Sequence, residues 1–173
     1  PEKVDISDSQ GNTLLLQASQ KNKLEIVKVL LKAGGNVNAL NQQKRDILNA
    51  AVSNRSVELV ELALASGADP TLVTSVYEGS ALIYATHQGQ VEIVKRLIEA
   101  GAPLNRVNNL GWSALLEATI LGDGGLAHQQ IVTLLLASGA DANVRDREGR
   151  SPLDHARSKG HQQMVKLLQP VTR

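Results

Sequence analysis

Ser113 to Gly139, SALLEATILGDGGLAHQQIVTLLLASG, is the stretch that decides how this chain folds. It opens as a helix, with Leu115, Ala118 and Thr119 on one face at three- and four-residue spacing. Gly122-Asp123-Gly124-Gly125 then interrupts it, and a second apolar helix, Ile131 to Leu136, closes on Gly139. The same unit recurs elsewhere without the interruption. The starts of the first helices, Thr13, Asp46, Ser80, Ser113 and Ser151, are 33, 34, 33 and 38 residues apart. Ile26, Leu59, Ile93, Ile131 and Met164 in the second helices are 33, 34, 38 and 33 apart. A period of this length is the signature of a repeat architecture.

Each unit has a local physical logic. The Thr, Asp or Ser at its start offers a side-chain oxygen to a helix amide that has no other partner. About two helical turns follow, with a small residue (Ala18, Ala51, Ala85, Ala118, Ala156) where neighbouring helices must approach closely. The second helix carries apolar pairs such as Ile93-Val94 and Leu97-Ile98, and Gly34, Gly67, Gly101 or Gly139 supplies a left-handed C-terminal cap. Asn36-Val37-Asn38 and Ala140-Asp141-Ala142-Asn143 read as extended hairpins leading to the next unit.

Two motifs carry a family resemblance. Gly149-Arg150-Ser151-Pro152-Leu153-Asp154-His155-Ala156 resembles the Gly-x-Thr-Pro-Leu-His-x-Ala signature of ankyrin repeats, and Ser138-Gly139-Ala140-Asp141-Ala142-Asn143 resembles the Gly-Ala-Asp-Val-Asn that ends them. The resemblance covers about Ser9 to Gln169. It implies an all-α repeat solenoid of five helix-turn-helix units with projecting hairpins. We place the units at about 9–41, 42–74, 75–108, 109–146 and 147–170, in a single domain over 1–173. Lys44 and Glu78 stand where the family has a hairpin Gly, which leaves the geometry of those two turns open. Leu110 to Ala118 with the Gly-Asp-Gly-Gly insertion further resembles small bacterial ankyrin proteins, some of which carry export signals.

Composition narrows the function. A net charge of +1 gives nucleic acid or an anionic membrane little to hold, so neither is an expected partner. Without cysteine there is no disulfide framework and no thiolate metal site, and no apolar run approaches the roughly 18 residues that span a bilayer. A cytoplasmic location is the expectation; no initiator Met precedes Pro1, so a periplasmic or secreted one stays open. The last unit ends in polar residues (His161, Gln162, Gln163, Lys166, Gln169), as a terminal repeat must. In the first unit Leu14, Leu15 and Leu16 run together. Either a further unit precedes it, the reading we prefer, or a short N-terminal segment folds over the leucines.

The period slips twice. Gly67 to Ser80 spans 13 residues where the other units span 12, so one extra residue lies in the turn around Thr74 to Glu78. Ala118 to Ile131 spans 13 where Ala85 to Ile93 spans 8, which puts five extra residues within Gly122 to Gln130. Insertions in repeat proteins go to loops, often on the binding face. The ankyrin resemblance implies a concave groove lined by hairpin tips and first helices. On that pattern Val76, Tyr77, Val107, Leu110, Trp112, Ile120 and Leu121 take tip or groove positions in units three and four. The matching positions of units one and two, including Asn12, Gln20 and Gln43, are polar. An apolar centre holding a Tyr and the single Trp, with His87, Arg145 and Arg150 among the flanking residues, has the composition of a hot spot and its rim. The competing expectation is that Trp112 packs on the glycine-rich loop and pins it.

Tyr84, Glu117 and His155 hold the same place in successive first helices, so a structural polar ladder is expected through units three to five. Catalytic patterns are otherwise missing. His87, His128, His155 and His161 lack metal-ligand spacing, Gly122 to Gly125 lacks the Gly-Lys-Ser/Thr of a phosphate loop, and no nucleophile elbow occurs. We therefore expect no enzyme, no metal and no cofactor, but a module that binds a partner protein through its groove. The alternatives are a metabolite receptor built from the ladder and the glycine-rich loop, and a regulatory domain of a larger chain.

Overall fold

A computed structural model describes residues 4–172. Ten helices form five antiparallel pairs: α1 (Leu14–Gln20) with α2 (Leu24–Lys32), α3 (Ile47–Ser53) with α4 (Val57–Ala65), α5 (Ala81–His87) with α6 (Val91–Glu99), α7 (Ala114–Ile120) with α8 (Leu126–Ala137), and α9 (Pro152–Ser158) with α10 (Gln162–Leu168). The first helices stack in chain order and α4, α6, α8 and α10 stack beside them. All five expected N-caps form: Thr13, Asp46, Ser80, Ser113 and Ser151 each accept the backbone N–H three residues on. With one donor satisfied at each start, two-turn helices hold because both ends are fixed and one face is buried.

Leu, Ile, Val and Ala from both stacks make one continuous core, with Ala51, Ala85, Ala118 and Ala156 fully buried where first helices touch. Each fully buried Leu or Ile in it contributes on the order of 2 kcal/mol. The carboxylates of the second helices, Glu25, Glu58, Glu61 and Glu92, lie on the solvated outer side, where Arg96 reaches back to Glu61 at 2.7 Å and Lys28 reaches forward to Glu58 at 3.5 Å.

The connections between units differ from the extended hairpins expected. Among the described residues there are only two isolated bridges, Ser7–Thr13 and Thr74–Gly79, and no strand. Four of the five tips are tight turns built on one side chain instead. The Oδ1 atoms of Asp8, Asn41, Asn108 and Asp146 each accept the N–H groups two and four residues on. Unit three has Thr74 at this place. The Thr74 N–H reaches Gly79 O, five residues on, whereas Asn41 N–H reaches Arg45 O, four on, which locates the extra residue inside the turn. Lys44 and Glu78 do what Gly11, Gly111 and Gly149 do elsewhere: their φ angles are 56° and 55°, left-handed despite a Cβ. The left-handed position is thus kept in each turn, and the two residues carry backbone strain for it.

At the first unit, Leu15 and Leu16 are buried while Leu14 is 43% exposed. Val4 lies with Leu15 beside Gly35, and Asp5 accepts the Asn36 N–H, so residues 4 and 5 do fold over this unit. They leave Ile26 and Val29 of α2 open, at 53% and 65% exposure. At the other end Gln162, Gln163 and Lys166 are exposed around buried Met164 and Leu168, as expected of a polar outer face.

Candidate functional site

A cleft of about 300 Å³ opens between units three and four. Its walls come from the turn tips (Ser75, Tyr77, Leu110, Trp112) and from the first helices (Ile83, Tyr84 and His87 on α5, Glu117 on α7, and Leu121 at the α7 C-terminus). The chain has two Tyr, one Trp and no Phe. All three aromatic side chains line this one cleft. Beside it, a second depression of about 360 Å³ shares Ser75, Tyr77 and Tyr84 and adds Val76, Gln43, Arg45 and Asn49. The tips are held side by side by single backbone bonds: Asn109 N–H to Tyr77 O at 2.8 Å and Ser75 N–H to Lys44 O at 2.9 Å.

Five of the residues expected to bind a partner meet here, Tyr77, His87, Leu110, Trp112 and Leu121, together with Tyr84 and Glu117 of the expected ladder. Val76 lies in the adjoining depression. Val107 is exposed just before the Asn108 turn, and Ile120 is half-buried; neither lines the cleft. Arg145 bonds Gly149 O at 2.7 Å and Arg150 bonds Ser158 Oγ at 2.8 Å, and both lie outside the cleft. Asn12, read as a groove residue, is instead buried and accepts the Asn41 side-chain N–H at 2.8 Å.

The polar ladder does not form as expected. No hydrogen bond joins Tyr84, Glu117 and His155 among the described residues. His155 Nε2 pairs instead with Asp146 Oδ2 at 2.6 Å, in the turn that leads into α9, so its ring is already engaged away from Glu117. Burial alone would raise the Asp146 pKa, but the Arg150 N–H, the His155 ring and the Glu148 N–H outweigh it and hold it below the usual range. Glu117 faces the cleft floor, 6% exposed. Its contacts are both long: His87 Nδ1 at 3.3 Å from Oε1 and Asn108 Nδ2 at 3.5 Å from Oε2. Burial pushes its pKa from 4.5 to about 7. That is the expected response of a carboxylate removed from water without close compensation.

The insertion in unit four is only partly a loop. Helix α8 has 12 residues against nine in α6, so part of the added length is an extra helical stretch beginning at Leu126. The glycine-rich turn is pinned, but not by Trp112. Asp123 Oδ1 accepts the Gly125 N–H and contacts His128 Nδ1 at 2.9 Å, while His128 Nε2 lies 3.4 Å from His87 O in the preceding unit. The Gly125 N–H and then the His128 ring hold the Asp123 pKa below its usual value. The His128 ring stands against Gly122 and the His161 ring against Gly124, leaving no room for a Cβ at either. None of residues 122–130 lines the cleft. The loop therefore does not form a wall with Glu117. Among the described residues no three His, Cys, Asp or Glu side chains stand close enough to hold a metal ion, and no helix is long and apolar enough to cross a membrane.

The repeated capped pairs and their turns can be set against known proteins. The family model for ankyrin repeats matches residues 1–74, 48–146 and 82–171, which together span nearly the whole chain. The chain belongs to the ankyrin-repeat family. It is similar to the ankyrin repeat protein YahD of Escherichia coli, with 34% identity over 168 residues, 95% of this chain and 83% of that protein. An ankyrin repeat domain of Acinetobacter baumannii AYE superposes with a TM-score of 0.94 at 41% identity, covering 98% of this chain and 87% of that one. The ankyrin repeat protein EF0377 superposes with a TM-score of 0.89 at 35% identity, covering 96% and 84%. Ankyrin-repeat domains generally serve as protein-interaction modules and are typically non-catalytic.

Proposed function

We propose that this ankyrin-repeat domain is a non-catalytic module that binds a partner protein in the cleft between units three and four. The observation carrying the reading is the convergence of Tyr77, Tyr84 and Trp112, the chain's whole aromatic complement, on one cleft. Around it Val76, Tyr77, Leu110 and Leu121 are exposed at 65%, 63%, 43% and 46%, an apolar patch that water covers poorly. Aromatic anchors in a desolvated centre are where binding energy concentrates. A standard interface buries about 800 Å² on each partner, more than the cleft alone offers, and we assign Val107, Ile120, Arg145 and Arg150 to its surroundings. Stacked repeats lose little conformational entropy on docking, so more of the contact energy appears as affinity.

Affinity capture with the wild type and a Tyr77→Ala/Trp112→Ala pair tests this. The pair should lose a protein that the wild type retains; identical captured sets would refute the assignment. A second reading, a small-molecule receptor, draws on the cleft volume of about 300 Å³, at the lower end for ligand pockets, and on the buried Glu117 in its floor. A metabolite that protects the fold against heat only when Glu117 and Trp112 are both intact would favour it.

A further inference from the structure

Glu117 is the one buried glutamate among the described residues, and it lies in the same cleft as every aromatic side chain of the chain. Nothing in the fold explains it there. The equivalent positions of other units carry Gln17, Ala50, Tyr84 and His155, so stacking does not demand an acid. Its neighbours do not neutralise it closely either: the two contacts are 3.3 Å to a half-exposed histidine and 3.5 Å to an amide. A carboxylate that hydrogen-bonds well holds its partners at about 2.7–2.9 Å when the donor is charged. Both oxygens of Glu117 therefore keep acceptor capacity, in a cleft that two tyrosines and a tryptophan also line.

From this we infer that the cleft accepts an arginine side chain of the partner protein, its guanidinium set against Glu117 and among Tyr77, Tyr84 and Trp112. The inference rests on the protein-binding reading and names what the partner inserts. Three properties of the site select this group. A buried carboxylate whose two oxygens have only long contacts matches the paired N–H donors of a guanidinium. Aromatic faces attract a cation through the ring quadrupole, arginine more often than lysine. The guanidinium is also weakly hydrated, so it enters a largely apolar cleft at lower desolvation cost than an ammonium. An acidic or purely apolar anchor would leave the Glu117 charge buried without a counter-ion.

The single tryptophan makes a direct test possible, because Trp112 fluorescence reports on the cleft alone. N-acetyl-arginine methylamide, N-acetyl-lysine methylamide and N-acetyl-norleucine methylamide are titrated into the full chain at pH 8, with Glu117→Gln in parallel. Glu117→Gln keeps the side-chain shape, and its circular dichroism and unfolding midpoint check that it is folded. The expected result is saturation by the arginine amide in the millimolar range, at least tenfold weaker binding in Glu117→Gln, weaker binding of the lysine amide and none of the norleucine amide. Overturning results are no saturable response to the arginine amide, equal binding by Glu117→Gln, or norleucine binding as well as arginine. The two readings fail separately. A partner protein lost on Trp112→Ala but bound at full affinity by Glu117→Gln leaves the cleft as the interface and removes the arginine; a partner indifferent to both removes the interface itself.

Discussion

Replacing Glu117 by glutamine should make the protein more stable at pH 8 while damaging the cleft. The carboxyl is 6% exposed, and burial raises its pKa from 4.5 to about 7. One pKa unit corresponds to 1.36 kcal/mol, so a shift of this size means that ionised Glu117 costs the folded state at most about 3 kcal/mol. The sign follows from linkage. The folded state holds this proton more tightly than the unfolded chain does, so the penalty is absent below about pH 4.5. It grows as pH rises through the window and is complete above about pH 7. His87 at 3.3 Å offsets part of it, but weakly, because its side chain is 44% exposed and solvated. The net gain for Glu117→Gln at pH 8 is then about 1–3 kcal/mol, and near zero at pH 4.5. Urea unfolding followed by circular dichroism at both pH values measures it. Equal midpoints for the two proteins at pH 8, or an equal gain at both pH values, would refute the reasoning. A confirmed gain would mean that the natural residue is retained at the expense of stability, as expected of a binding group.

Other consequences can be checked on the same protein. Asp46 is a buried N-cap whose pKa burial lifts from 3.8 to about 6, whereas Ser80, Ser113 and Ser151 cap without charge. Asp46→Ser should therefore raise the thermal midpoint at pH 7.5, by about 1–2 kcal/mol of stability, and bring no gain at pH 3.5. Lys44→Gly and Glu78→Gly relieve left-handed backbone at φ 56° and 55°. Each should stabilise by about 0.5–1 kcal/mol in urea unfolding, after the larger chain entropy of Gly is subtracted. At Gly122 a Cβ would stand 2.0 Å from the Ala118 carbonyl oxygen and 2.9 Å from the His128 ring. Gly122→Ala should cost about 2–3 kcal/mol in the same assay, through displaced packing. His128→Ala should release the turn that His128 ties to Asp123 and His87, seen as faster hydrogen exchange over 122–130 with little change in units one and two.

Much of the fold could be read from residues because each repeat must satisfy the same local need. A helix of seven residues leaves amide groups unpaired at its start, and only an oxygen-bearing side chain at Thr13, Asp46, Ser80, Ser113 or Ser151 could serve all five units. The turn residues Asp8, Asn41, Asn108 and Asp146 obey an equally strict rule, each five residues before a cap. That rule is why the ladder does not reach His155: Asp146, in the turn that leads into α9, takes the ring before the stacking neighbour Glu117 can. Tyr77 and Trp112 could be brought together because both positions follow from the period. The His87–Glu117 contact could not, since it joins the end of one helix to the middle of the next and depends on side-chain direction. Nor did spacing alone reveal that Leu126, Ala127 and His128 extend α8, because three residues after a glycine-rich run carry too little periodicity to distinguish loop from helix.

Whether units three and four carry the interface is tested most directly by calorimetric titration of a captured partner into wild type, Tyr77→Ala/Trp112→Ala, and a control, Gln20→Ala/Gln43→Ala, in units one and two. The aromatic pair should weaken binding by roughly a hundredfold, as loss of two hot-spot anchors does, with the control within about threefold of wild type. Undiminished affinity in the aromatic pair, or a larger loss in the control, would contradict it.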